Sequence, residues 1–214
     1  MAKEFFIFDT ETTGLSPSNA DLIEFSALKV KSYNKRNDEG KMETVFEVLD
    51  EIDFYVNPGY KLPDNIVDFN KKNNTGIDDN LLREKGLRPE AAAQKVVDFL
   101  GKDPVLVGHN SDAFDIGFVN KLLGNIGEQL TPKATADTLK IARQVIRNSK
   151  KGDLKLCNLF EKTDKTYSNN SPKFHTSIAD CYATLDVLDY LIKEYAPKIQ
   201  GVNKSMKDEN MRVI

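Results

Sequence analysis

Residues 4–9, Glu-Phe-Phe-Ile-Phe-Asp, form a short apolar run rich in β-formers, closed soon after by the turn signals Gly14 and Pro17. Such a run reads as a central strand, which commits the chain to a fold built around a sheet. Its end carries two acids, Asp9 and Glu11. Two residues apart on a strand, both side chains leave on the same face. They stand at the C-terminal end of the strand, where α/β sheets place their sites. Neighbouring carboxylates repel one another unless a cation lies between them, and oxygen-only clusters suit magnesium or manganese. The plainer reading is a pair of surface acids at a strand end.

Residues 22–30 are apolar enough for a second strand, and residues 45–56 again favour extended structure. The polar stretch from Asn34 to Lys41 makes the two a long hairpin with a solvated tip. Further on, residues 89–100 have helical spacing with Pro89 placed where helices start. A brief Val-Leu-Val strand at 105–107 follows, and helices are predicted at 114–123, 138–148, 154–161 and 178–194. Strands first, then strands interleaved with helices, describe an α/β domain with a mixed sheet. The 214 residues, 40% of them apolar, suit one domain over residues 1–196, and residues 197–214 read as a polar, poorly ordered tail.

The net charge of −3 argues against a protein that coats nucleic acid by bulk electrostatics, yet not against an enzyme that grips a short end, because bound divalent ions offset acidic ligands. Two cysteines, Cys157 and Cys181, form neither a disulfide framework nor a zinc pattern, so a reducing cytoplasmic setting is the simpler expectation. No apolar run is long enough to span a bilayer, and the N-terminus lacks a signal-peptide pattern.

In the predicted helix at 178–194, Ile178, Tyr182, Leu185 and Ile192 form one apolar stripe, and Ala179, Ala183, Val187 and Leu191 a second. The polar face carries Asp186, Asp189 and Lys193. Asp180 falls on the second stripe, beside Ala183 and Val187, where a lone carboxylate is costly and a bound cation relieves the cost. A partly exposed acid in a frayed first turn is the alternative. Asp115 opens the helix at 114–123, where it is either a ligand or an acid favouring the helix dipole. Asp112 reads as the better N-cap of that helix. Of two histidines, His175 precedes Asp180 by five residues in a polar, accessible segment and suits a base near pH 7. His109 follows the 105–107 strand and holds the loop before Asp115.

The segments FFIFDTETTGL, LVGHNSDAFDIGFV and FHTSIADCYATLDVL resemble the three motifs of the DEDDh, or DnaQ-like, exonucleases, which include the proofreading ε subunit of bacterial DNA polymerase III. The resemblance runs from about Phe5 to Tyr190. It implies a ribonuclease H-like α/β fold, a mixed five-stranded sheet with helices on both faces. It also implies 3′→5′ removal of nucleoside 5′-monophosphates, with two Mg²⁺ or Mn²⁺ ions held by Asp9, Glu11, Asp115 and Asp180, and His175 as base. Thr12, Thr13 and Leu15 stand where members of the family meet the terminal nucleotide, and His109 and Asn110 join them as substrate-binding residues. Leu15 is either an apolar contact to the last base or a turn residue tucked into the core. Arg143, Arg147, Lys150, Lys151 and Lys155 form a basic run, either a phosphate contact or a solvated face.

Two departures lean away from a proofreading subunit. The step from Asn110 to Asp115 is one residue longer than in the ε type, as in stand-alone repair enzymes, and 31–43 is a longer hairpin tip than in compact members. No polymerase-binding tail is recognisable after Tyr195. The expected substrate is DNA with a single-stranded or frayed 3′ end, with a DNA polymerase as a candidate partner and no membrane role. The alternatives are an RNA 3′ exonuclease and an inert module that binds nucleic acid or a polymerase.

Overall fold

The computed structural model describes residues 3–168 and 174–205, with side chains through residue 195. Five strands form one sheet: β1 (Lys3–Thr12), β2 (Leu22–Arg36), β3 (Met42–Tyr55), β4 (Val105–Gly108) and β5 (Ala134–Asp137). Their order is β3-β2-β1-β4-β5, with β1 antiparallel to β2, β2 antiparallel to β3, and the β1-β4 and β4-β5 pairs parallel. The apolar run at 4–9 therefore lies in the centre. β2 is buried without alternation from Leu22 to Leu28 because helices cover both of its faces.

One face of the sheet meets α3 (Pro89–Leu100) and α4 (Asp115–Leu123) over Phe8, Phe25, Ala27 and Leu106. The other meets α7 (Ser177–Ser205), whose Cys181, Leu185 and Leu188 pack on Phe5, Ile7, Leu28 and Val30. Behind α7, the helices α5 (Thr138–Val145) and α6 (Leu156–Phe160) close a further core with Ala183, Val187 and Leu191. Among the described residues, no helix is long and apolar enough to cross a membrane.

Several expectations change. The hairpin tip is short: pairing continues to Arg36↔Met42, so most of 31–43 is ladder and the turn occupies only Asn37 to Lys41. Charged residues on a two-stranded extension look like a loop in sequence yet pair without difficulty when both faces are wet. Two helices, α1 (Asp64–Asn73) and α2 (Asp79–Lys85), follow the hairpin where the sequence reading placed nothing. They are polar, and Ile77 and Leu82 pack with Ile23 and Leu62 in a small separate core.

Asp112 does not cap α4. Phe114 is the N-cap residue and makes no side-chain cap bond, while Asp112 accepts from Lys140 Nζ at 2.6 Å. Asp186 and Asp189 are not on a solvated face either, being 2% and 4% exposed. Asp186 accepts the backbone N–H groups of Tyr167 and Ser168 and the Ser168 hydroxyl, so the segment at 164–168 covers the supposed polar face. Asp189 pairs with Lys193 at 2.8 Å. α7 continues to Ser205, past the end at 194 expected for this helix, and residues 206–214 of the expected tail lie outside the described residues.

Candidate active site

β1 delivers its alternating side chains to two different layers. Asp9 and Glu11 point to the α7 side, continuing the row of Phe5 and Ile7, while Thr10 points to the α4 side. There the Thr10 hydroxyl donates to Asp115 Oδ1 at 2.6 Å, a buried bond that joins the first and second motifs. Asp115 reaches this place because β4 runs parallel to β1 and its chain turns into α4 at the same end of the sheet. Gly108 ends β4 at a point where a Cβ would lie 2.4 Å from the Ser111 Cβ, so the turn into α4 closes only over glycine.

α7 supplies the remaining acid. Asp180 Oδ2 accepts the backbone N–H of His175 at 3.3 Å, which is possible because His175 adopts a left-handed conformation at φ 69°. Ligand atoms of Glu11, His175 and Asp180 all lie within 4.8 Å of one another. The other oxygen of Asp180, Oδ1, is buried without a partner. His175 itself is exposed, and its ring meets the ring of Phe69 on α1 edge-on at 5.4 Å.

The electrostatics describe a site that lacks positive charge. Burial raises the Asp9 carboxyl well above its usual range, and Asp115, Asp180, Glu11 and Glu24 push it further. Glu11 is pushed up to about 8 by burial and by Asp180, Glu24 and Asp115. Burial brings Asp180 to about 7, against the pull of the His175 N–H, and Asp115 to about 6, against the Thr10 hydroxyl. No ion pair reaches Asp9, Glu11, Asp115 or Asp180 among the described residues. Anionic oxygens gathered without a counter-charge, one of them unpartnered, fit hard divalent cations such as Mg²⁺ or Mn²⁺. His175 shifts the opposite way: burial and the Lys155 ammonium lower its pKa, which keeps the imidazole neutral near pH 7.

A fifth acid lies beside this group, bonded to other side chains and backbone, and was missed in sequence. Glu24 lies directly across from Glu11 in the β1-β2 register, is 1% exposed, and is raised to about 7 by burial. Its signal was a single charge inside the otherwise apolar stretch Leu22–Leu28.

The other expected residues divide. Leu15 is 90% exposed, which removes the reading of a residue tucked into the core. Thr13 is buried, and its hydroxyl accepts the Asp21 N–H at 2.9 Å and bonds to Tyr60 Oη at 3.0 Å. The Thr12 hydroxyl donates to the Gly14 carbonyl at 2.7 Å, so both threonines shape the turn that presents Leu15. His109 Nδ1 lies 2.9 Å from Thr138 Oγ1, and the exposed Asn110 donates its N–H to Asp137 Oδ1 at 2.9 Å. These two hold the loop before Asp115. The basic residues from Arg143 to Lys155 are all exposed.

The exonuclease family RNase_T matches residues 6–188. The chain is 30% identical over 191 residues to the PolC-type DNA polymerase III of Clostridium perfringens, covering 89% of this chain and 11% of that protein. It is 30% identical over 213 residues to the PolC-type polymerase of Streptococcus mutans, covering 98% and 12% respectively. The chain thus spans about a ninth of the length of these relatives. Its fold is shared with Escherichia coli exonuclease I in complex with a dT13 oligonucleotide, at a TM-score of 0.68 and 18% identity over 96% of this chain and 44% of that one. A further exonuclease I structure gives a TM-score of 0.70 at 17% identity, over 94% and 43%. The expected mixed five-stranded α/β fold, ribonuclease H-like with helices on both faces, is the one observed. The chain belongs to the exonuclease family, in its DnaQ-like branch.

Proposed function

We propose that the chain removes nucleoside 5′-monophosphates from the 3′ end of DNA, preferentially from a single-stranded or frayed end. The convergence of Asp9, Glu11, Asp115 and Asp180 without any neutralising side chain carries this reading. These four carboxylates would hold two divalent ions, and Asp9, which Asp115, Asp180, Glu11 and Glu24 all push upward, stands among them. Bound there, the ions would supply charge neutralisation for the attacking and leaving oxygens of the phosphodiester. His175, neutral and exposed beside Asp180, takes the proton from the attacking water onto its ring. The water oxygen joins phosphorus, the bond from phosphorus to the 3′ oxygen breaks, and that oxygen takes a proton from bulk water to become the 3′ hydroxyl of the shortened strand.

Leu15 is proposed to lie against the last base, on a turn held by Thr12 and Thr13, with His109 and Asn110 supporting the opposite side of the strand end. DNA is favoured over RNA by the relatives, which are DNA polymerases, and by the solved exonuclease I complex with an oligothymidylate. DNA polymerases and exonuclease I both stand among the similar proteins, so a polymerase link and a repair role are each compatible with residues 1–196 acting as the exonuclease domain. A cytoplasmic setting accords with this reading.

The test uses 3′-labelled and 5′-labelled single-stranded DNA, with Mg²⁺, Mn²⁺ or EDTA, beside an RNA strand of the same sequence. Early release of the 3′ label as a mononucleotide, only with metal and not with an Asp9→Ala variant, is the expected result. Faster shortening of the RNA would replace DNA as the substrate. Intact strands with folded, metal-bound protein would leave an inert binding module.

A further inference from the structure

Ser177, the first residue of α7, stands between His175 and Asp180 in the chain, and both its backbone N–H and its hydroxyl bond to the β2-β3 hairpin. The N–H donates to Glu24 Oε2 at 3.0 Å, and the hydroxyl lies 2.5 Å from Ser26 Oγ. Ser26 Oγ in turn donates to Asp53 Oδ1 at 2.8 Å, and the Tyr55 hydroxyl bonds to Glu24. The register explains how these groups meet. Glu11, Glu24 and Tyr55 form one cross-strand row over β1, β2 and β3, and Asp9, Ser26 and Asp53 form the next. Directly opposed residues share a face, and this is the face that α7 covers.

Polar groups at such depth have an apolar alternative. Leu28 and Val30, next along β2, support the middle of α7 by packing alone. Packing fixes distance but leaves the helix free to roll, whereas a directed bond to an N–H fixes rotation. The first N–H groups of a helix have no intrahelical acceptor, so the one at Ser177 would be an unpartnered buried donor without Glu24. A roll or slide at this point moves both neighbours that the site needs, His175 two residues before and Asp180 three residues after.

We infer that Glu24, assisted by Ser26, is a positioning residue that locks the first turn of α7 so that His175 and Asp180 face Glu11. The inference rests on the roles proposed above for His175 and Asp180. It gives the β2-β3 hairpin, which supplies no group to the reaction, a structural hold on catalysis. Glu24 serves through its acceptor oxygens toward Ser177 and Tyr55 and not as an ion ligand.

The test pairs steady-state kinetics on a labelled DNA strand with amide hydrogen exchange at Ser177 in metal-free protein. Glu24→Ala is expected to lower kcat on the order of 10²-fold with little change in KM, as displaced catalytic groups do. Glu24→Gln keeps a carbonyl that accepts from Ser177 and is expected to retain most of the wild-type kcat. The Ser177 amide should exchange slowly in the wild type and in Glu24→Gln, and much faster in Glu24→Ala. A Glu24→Gln variant as slow as Glu24→Ala would show that the charge itself is needed, and would overturn the inference. So would a Glu24→Ala variant with wild-type kcat, or a Ser177 amide that exchanges freely in the wild type. If Glu24→Ala does not fold, Glu24→Gln and the Ser177 amide decide between the same two outcomes. A wild type without nuclease activity would count against the proposed function, while the amide reads the lock independently.

Discussion

Replacing Glu11 by glutamine should abolish activity and, without divalent ions, make the protein more stable. The gain follows from the position of Glu11 within an unneutralised cluster. Its folded-state pKa is about 8, against an ordinary 4.5, owing to burial and to Asp180, Glu24 and Asp115. A raised acid holds its proton longer in the folded state than in the unfolded one. Its contribution to stability is therefore full below about pH 4.5 and is lost as the pH climbs towards 8. The shift of about 3.5 units, at about 1.36 kcal/mol each, sets a ceiling of about 5 kcal/mol on that loss. Glu11 is only half-buried, and water at the cleft mouth should reduce the measurable part to about 1–3 kcal/mol. Against a total stability of about 5–15 kcal/mol this is easily resolved. Urea unfolding of wild type and Glu11→Gln in EDTA should give equal midpoints near pH 4 and a higher midpoint for the variant at pH 8. Added Mg²⁺ should raise the wild type more than the variant, because only the intact site gains a ligand. A variant less stable than wild type at pH 8 in EDTA, or a difference that does not change with pH, would refute the electrostatic account of the site.

Three further outcomes follow from individual side chains. His175→Ala should cut kcat by about 10²–10⁴-fold while leaving the melting temperature nearly unchanged, since the ring is exposed and, among the described residues, makes a ring contact with Phe69 alone; a circular-dichroism melt beside the nuclease assay checks both. Leu15→Ala should leave stability within about 0.5 kcal/mol, as an exposed residue does, yet weaken binding of single-stranded DNA by up to about 2 kcal/mol, from the apolar surface a base would cover, in a fluorescence titration. Asp186→Ala should lower unfolding free energy by about 3 kcal/mol or more, because it strands the Tyr167 and Ser168 N–H groups that now donate to it, and denaturant titration reads this directly.

What the sequence revealed depended on whether a residue's role was local. Asp9 and Glu11 were legible because a strand's two-residue period alone places them together, and Asp180 because a charge among small apolar residues contradicts its helical stripe. Glu24 was not legible. Its importance comes from a cross-strand register with Glu11 and from α7 arriving more than 150 residues later at Ser177, and neither is written in the local pattern. Asp186 misled for a related reason: helical periodicity marks a polar face but does not reveal that Tyr167 and Ser168 will cover it. β5 was also invisible locally, since Ala134–Asp137 is too short and mixed to read as a strand until β4 pairs with it.

The topology also explains why so many acids meet at one place. β1 and β4 run parallel, so the C-terminal ends of both, with Asp9, Glu11 and the turn into Asp115, lie at one edge of the sheet. β2 runs the other way, so Glu24 near its beginning lies at that same edge, as do Asp53 and Tyr55 near the end of β3. β5 is parallel to β4 and ends there too, with Asp137 bonded to the Asn110 N–H. Acids gathered around one strand end stay ionised together only beside a cation, and each carboxylate raises its neighbours' affinity for one. A chain with a net charge of only −3 thus concentrates negative potential where the proposed substrate, a polyanion, would bind. On the proposed function, a requirement for divalent ions would follow from that concentration: the same ions that would neutralise the cluster would also remove the repulsion that would keep a DNA end away.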